Sequence, residues 1–153
     1  MYAVVQRRLL LALFLTVSCT VAQIPGIPVD LGLRVASGEG DIQAVEAFLS
    51  NGASVNTKGY MDATPLQYAS AEGHVKVVQV LLDHGADVNS MDEDGGTPLI
   101  HAVWKGHTEV VLLLVENGAN VNVRTTDSRT PLKVALSEGH SEIADVLKSF
   151  GAK

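Results

Sequence analysis

The sequence predicts an all-α solenoid in which short helix-turn-helix units stack in file and hairpin-like fingers project from one edge. Three recurrences predict it. Thr-Pro-Leu stands at Thr64, Thr97 and Thr130, Gly-His at Gly73, Gly106 and Gly139, and Gly-Ala at Gly52, Gly85, Gly118 and Gly151. Each series advances by the same step, 97 − 64 = 33 residues. Aligning Thr64–Gly96 on Thr97–Arg129 leaves 14 of 33 positions identical. Those positions are mainly the punctuating glycines, the Thr-Pro pair and aliphatics, so what repeats is a backbone and not a chemistry.

The unit Thr97–Arg129 shows why the pattern folds. Thr97 can accept from the free N–H groups of a helix start, and Pro98 suits the first helical position, where a missing donor costs nothing. At about 100° per residue, Leu99, Ala102 and Val103 share one face, and Ile100, His101 and Trp104 are expected to point away from it. Small Ala102 lets a neighbouring helix approach closely. Gly106 can take the left-handed conformation that ends the helix, and Val110, Val111, Leu113, Leu114 and Val115 form a second apolar run. Two short antiparallel helices result. After Gly118 the polar, turn-rich stretch from Ala119 to Arg129 should project as a finger leading to the next Thr-Pro. In the preceding unit, Thr64 with Gln67 three residues on fits a capping box.

A 33-residue unit with Thr-Pro-Leu, Gly-His and Gly-Ala-(Asp/Asn)-Val-Asn resembles the ankyrin repeat. The resemblance covers about Leu31 to Lys153 in four units, 31–63, 64–96, 97–129 and 130–153. It implies an ankyrin-repeat solenoid whose job is to bind another protein. It also implies a structural hydrogen-bonding role for His74, His107 and His140, each placed just after a helix-ending glycine. The family usually has His after Thr-Pro-Leu, where this chain has Gln67, Ile100 and Lys133. Gln67 can donate and accept and Ile100 can do neither, so the third unit is expected to be less tightly locked to its neighbour.

Ahead of the repeats, residues 1–22 read as a secretory signal. Arg7 and Arg8 give a positive start, Leu9 to Val17 is the apolar core, and Thr20 and Ala22 are the small residues before a cut at Gln23. Leu9 to Ala22 is too short for the ~20 apolar residues that span a bilayer, which argues against an anchor. Cys19, behind Leu15-Thr16-Val17-Ser18, resembles a bacterial lipoprotein site except that Thr16 replaces the expected Leu; membrane attachment would follow only if Cys19 were lipidated. The expected location is secreted or periplasmic, and the competing reading is a cytoplasmic regulator whose N-terminus only imitates a signal. No Asn-x-Ser/Thr sequon occurs, which favours a periplasm over a eukaryotic secretory route. Residues 23–30, with two prolines and a glycine, are expected to form an extended tether in which Asp30 caps the first helix.

The two ends should close the array. The unit 31–63 has Leu31-Gly32 in place of Thr-Pro, with Arg34 and Asp41 expected to face outward, and reads as an N-terminal cap. At the other end Lys148 replaces Leu82 and Val115 of the earlier units. With Glu142 and Asp145 it should give a polar face that stops further stacking and keeps the protein monomeric.

Composition excludes several functions. Formal charge is −6, and removing the leader with its two arginines leaves 9 Lys+Arg against 17 Asp+Glu, a net of −8. So acidic a surface does not suit nucleic acid. The single cysteine lies in the leader, so the repeats hold no disulfide and no cysteine metal site. No metal or other cofactor is expected, because the repeat-related histidines fall too far apart to converge on an ion. His84 and His101 read as surface residues, and Asp92-Glu93-Asp94 as a solvated finger tip. No Gly-x-Ser-x-Gly elbow, phosphate-cradling loop or His-Glu-x-x-His motif occurs, so the chain is expected not to be an enzyme.

What remains is a recognition surface. By resemblance, partners contact the end of each first helix, here Ala71 and Glu72, Trp104 and Lys105, and Ser137 and Glu138. They also contact the fingers, here Tyr60, Met61, Met91, Arg124 and Arg129. Trp104 is the only tryptophan. It lies about 140° around its helix from Leu99, so it should line the groove beneath the fingers, near Lys105 and Arg124.

Overall fold

A computed structural model describes residues 28–153. The leader 1–22, with Cys19, and most of the tether lie outside the described residues. Eight helices follow in four antiparallel pairs: α1 (Val29–Glu39) with α2 (Ile42–Ser50), α3 (Pro65–Glu72) with α4 (Val75–Asp83), α5 (Pro98–Lys105) with α6 (Thr108–Glu116), and α7 (Pro131–Ser137) with α8 (Ser141–Ser149). The first helices stack on one another in one layer and the second helices in another. The chain is therefore an all-α solenoid of helix-turn-helix units.

The core is written in rows one repeat apart. Ala36, Ala69, Ala102 and Ala135 are all buried, and their small side chains set the spacing of the first-helix layer. Behind them run Val45, Val78, Val111 and Ala144, then Phe48, Leu81, Leu114 and Leu147, again all buried. Fully burying each large aliphatic contributes about 1.5–3 kcal/mol, so these rows carry most of the stability.

Helix starts follow the expected chemistry. Thr97 Oγ1 accepts from Ile100 N at 3.3 Å with Pro98 at the first position. Thr64 and Gln67 form the full capping box, Gln67 N to Thr64 Oγ1 at 3.4 Å and Thr64 N to Gln67 Oε1 at 2.8 Å. Two of the glycines that precede a repeat-related histidine, Gly73 and Gly106, are needed twice over. Gly73 and Gly106 both have φ of 79°, and a Cβ on them would meet the next unit's imidazole at 2.6 Å from His107 Nδ1 and 2.8 Å from His140 Cε1. Those imidazoles tie units together. Nε2 of His74, His107 and His140 donates to the carbonyls of Gly38, Ala71 and Trp104 at 2.9, 3.0 and 3.4 Å.

A second tie went unseen in the sequence. Asn56, Asn89 and Asn122 each clamp the turn of the following unit: Nδ2 donates to Gly85, Gly118 and Gly151 O at 3.3, 3.2 and 3.2 Å. Their Oδ1 atoms accept from Asp87, Asn120 and Lys153 N at 2.8, 2.8 and 2.9 Å.

Several expectations are corrected. Ile100 is only 5% exposed. In a solenoid a first helix packs against its own partner and also against the first helices of adjoining units, so a wider arc is buried than a single partner would cover. Asp30 does not cap α1, whose N-cap is Pro28; it sits in the first turn and its Oδ1 accepts from Ser54 N at 2.9 Å. Arg34 is not turned outward, because Nη1 donates to Thr57 Oγ1 at 3.0 Å beneath the first finger. Asp41 is exposed as expected and caps α2 through Ala44 N at 3.0 Å.

The C-terminal end is polar along α8, where Lys148 Nζ meets Asp145 Oδ1 at 3.2 Å. It is not polar along α7. Leu136 stands one repeat beyond fully buried Val103 and is 59% exposed, with Phe150 exposed as well.

Candidate functional site

The site is a groove between the second and third fingers, floored by α5. It opens because Asp92 folds the second finger back on itself. Asp92 N donates to Gly96 O at 3.0 Å, and Oδ1 accepts from Gly96 N at 2.7 Å and Asp94 N at 3.0 Å. Nε2 of His101 donates to Oδ2 of the same carboxylate at 2.7 Å. Two sequence expectations change here. His101 is partnered rather than a free surface residue, and Asp92 is the organiser of its finger rather than part of a solvated tip. Glu93 and Asp94 are exposed, as expected of a finger tip.

The third finger closes in the same register, with Thr125 N donating to Arg129 O at 3.0 Å. It leans on the second through Thr126, whose N and Oγ1 both donate to Asp94 O at 3.0 Å. Gly95 makes that approach possible: its φ is 73° and a Cβ would meet Thr125 Cα and Thr126 N at 3.2 Å. The fingers thus have hairpin-like closures without strands among the described residues. Asp127 accepts from Thr125 Oγ1, and from Arg129 Nε at 2.6 Å. The Thr125 hydroxyl first, and Arg129 after it, hold the Asp127 carboxyl below the usual carboxylate range.

The groove has a volume of about 350 Å³, and Asp92, Asp94, Gly96, Ile100, His101, Trp104, Thr125, Thr126, Asp127, Arg129 and Val134 line it. Trp104 is 52% exposed. Of the surface expected from sequence, the groove gathers Trp104 and Arg129. Lys105 and Arg124, expected near Trp104, are exposed but outside its lining. Ala71 is half-buried and its carbonyl receives His107; Glu72, Ser137 and Glu138 are exposed at equivalent helix ends. Tyr60, Met61 and Met91 are exposed on the first two fingers, and Met61 O accepts from Glu93 N at 3.1 Å. Sequence reasoning missed the roles of Asp94, Thr125, Thr126 and Asp127. The available signal was the run of finger residues at matched repeat positions.

No group of three or more His, Cys, Asp or Glu among the described residues is placed to hold a metal ion. The repeat-related histidines each spend Nε2 on a carbonyl. No helix among the described residues is long and apolar enough to cross a membrane.

The family model for ankyrin repeats (three copies) matches residues 33–125 and 91–153. The chain belongs to the ankyrin repeat family. No curated protein matches it. An ankyrin array is a protein-interaction module, and the Ala71, Trp104 and Ser137 positions fall at one repeat phase along its first-helix layer.

Proposed function

We propose that this ankyrin protein is an exported, non-catalytic module that binds one protein partner along its fingers and first-helix ends, with Trp104 as anchor. The observation that carries the reading is a half-exposed tryptophan in an open groove between two fingers. Tryptophan is among the residues most enriched at interface hot spots, and a ring left half in water by its own fold is available to a partner. Flanking it in the repeat are Ala71, Glu72, Lys105, Ser137 and Glu138, with Tyr60, Met61, Met91, Arg124 and Arg129 on the fingers. Export rests on the leader of residues 1–22 alone.

Two measurements test this. Trp104→Ala should weaken the partner recovered by pull-down by about 2 kcal/mol while leaving the unfolding midpoint near wild type. Unchanged affinity removes Trp104 from the interface, and a large loss of stability assigns it to packing. N-terminal sequencing of protein from its native cell should begin at Gln23; a chain starting at Met1 in the cytosol overturns export.

A further inference from the structure

We infer that the groove around Trp104 takes an arginine side chain from an extended segment of the partner; this rests on the interaction surface proposed above. The argument is one of charge left over after internal pairing. The lining holds three carboxylates, Asp92, Asp94 and Asp127, against one guanidinium, Arg129, an excess of two carboxylates. Asp92 is fully committed to its own finger and His101. Asp127 and Arg129 answer each other at 2.6 Å. Asp94 is different. Its backbone is bonded on both sides, N to Asp92 and O from Thr126, which fixes the backbone, and its exposed carboxylate accepts no hydrogen bond from the described residues. The groove therefore presents a negative charge that no described residue answers, in the same lining as a half-exposed indole.

That pair of features suits one side chain best. A guanidinium is planar, stacks on an aromatic face and offers a two-pronged donor to a carboxylate, whereas an ammonium can satisfy only one of the two at a time. An anionic ligand would meet a net negative lining, because Arg129 is already neutralised. A purely apolar segment would cover the Asp94 carboxylate without giving it a partner, which disfavours such a ligand. The groove's volume, about 350 Å³, is near the small end for ligand sites and fits a side chain with adjoining backbone.

The lone tryptophan makes its own reporter, since excitation to the red of tyrosine absorption confines the emission to Trp104. Full-chain protein is titrated with three short Gly-Ser peptides of equal length, carrying paired arginines, paired lysines or paired glutamates. The arginine peptide should give a saturable change in emission, the lysine peptide a weaker one and the glutamate peptide none. Asp94→Asn should weaken the arginine peptide about tenfold with no shift in unfolding midpoint, as expected for loss of one charge-assisted pair. The inference is overturned if no peptide alters emission, if the glutamate peptide binds as well as the arginine peptide, or if Asp94→Asn leaves affinity unchanged. A pulled-down partner that depends on Trp104 yet docks through an acidic or apolar segment overturns the arginine assignment and leaves the interaction surface standing. A partner indifferent to Trp104→Ala removes the surface itself.

Discussion

The junction of finger and first helix in the second repeat and the same junction in the third use the same backbone and opposite chemistry. At the first, Gln67 Nε2 donates to Gly96 O at 2.8 Å, Thr64 Oγ1 and Ser90 Oγ share a hydrogen bond at 3.3 Å, and Ser70 lies on the same helix as Gln67, all buried. One repeat later the same positions are Ile100, Val123 and Val103, also buried. The second junction replaces a polar network by packing. Each hydrogen bond returns a net ~1 kcal/mol, because the unfolded chain makes the same bond to water. Each buried aliphatic returns about 1.5–3 kcal/mol. On these magnitudes the packing of Ile100 offsets the hydrogen bond it cannot make, so the third unit is expected to be held no less tightly than the second.

The largest effects test that ranking directly. Ile100→Ala should cost about 3 kcal/mol, the transfer energy of the lost methyl groups plus a cavity. Gln67→Ala should cost about 2 kcal/mol, mainly by stranding Thr64 N in the interior, since Gly96 O keeps the bond from Asp92 N. Urea midpoints from circular dichroism decide between them. If Gln67→Ala proves the more damaging, the polar junction is the stronger and the comparison reverses.

Features common to both junctions should respond alike wherever they are broken. Thr97→Ala removes a buried cap and should lower stability by about 1 kcal/mol. An unchanged midpoint would mean that Pro98 alone starts α5. Asn89→Ala and Asn122→Ala remove equivalent exposed clamps whose stranded groups water can take over, so each should cost about 0.5–1 kcal/mol and the two should match. A clear inequality would show that the clamp depends on which junction it spans.

The frame of the molecule was legible because it is periodic. A 33-residue step with Thr-Pro, Gly-His and Gly-Ala marks helix starts and stops by local backbone chemistry, and Thr64, Gln67 and Thr97 do what those rules require. What escaped was set by contacts between units. Burial of Ile100 goes beyond what its own helix pair provides, in a layer where first helices stack on one another, and the Asp92 to His101 bond depends on how a finger folds back over a helix, nine residues apart. Exposure of Leu136 depends on the absence of a described neighbour beyond α7. The candidate groove was legible only through Trp104 and Arg129, because its other walls are finger residues whose roles appear once two fingers lie side by side.

Ser70 gives the smallest expected effect and the finest probe of the comparison. It is fully buried, and its Oγ is the one buried side-chain polar atom among the described residues without a hydrogen-bond partner. The same repeat position is filled by Ser37, whose Oγ donates to Leu33 O at 2.7 Å, and by Val103, which carries no hydroxyl. A buried hydroxyl without a partner costs on the order of 1 kcal/mol, and deleting one oxygen opens a void smaller than a methyl group. Ser70→Ala should therefore stabilise by about 0.5 kcal/mol, while Ser37→Ala, which breaks a formed bond, should be neutral or destabilising. Paired unfolding midpoints of the two variants check this. Should Ser70→Ala destabilise as much as Ser37→Ala, the Ser70 hydroxyl is satisfied in solution, and the polar junction is a complete network rather than one with a flaw.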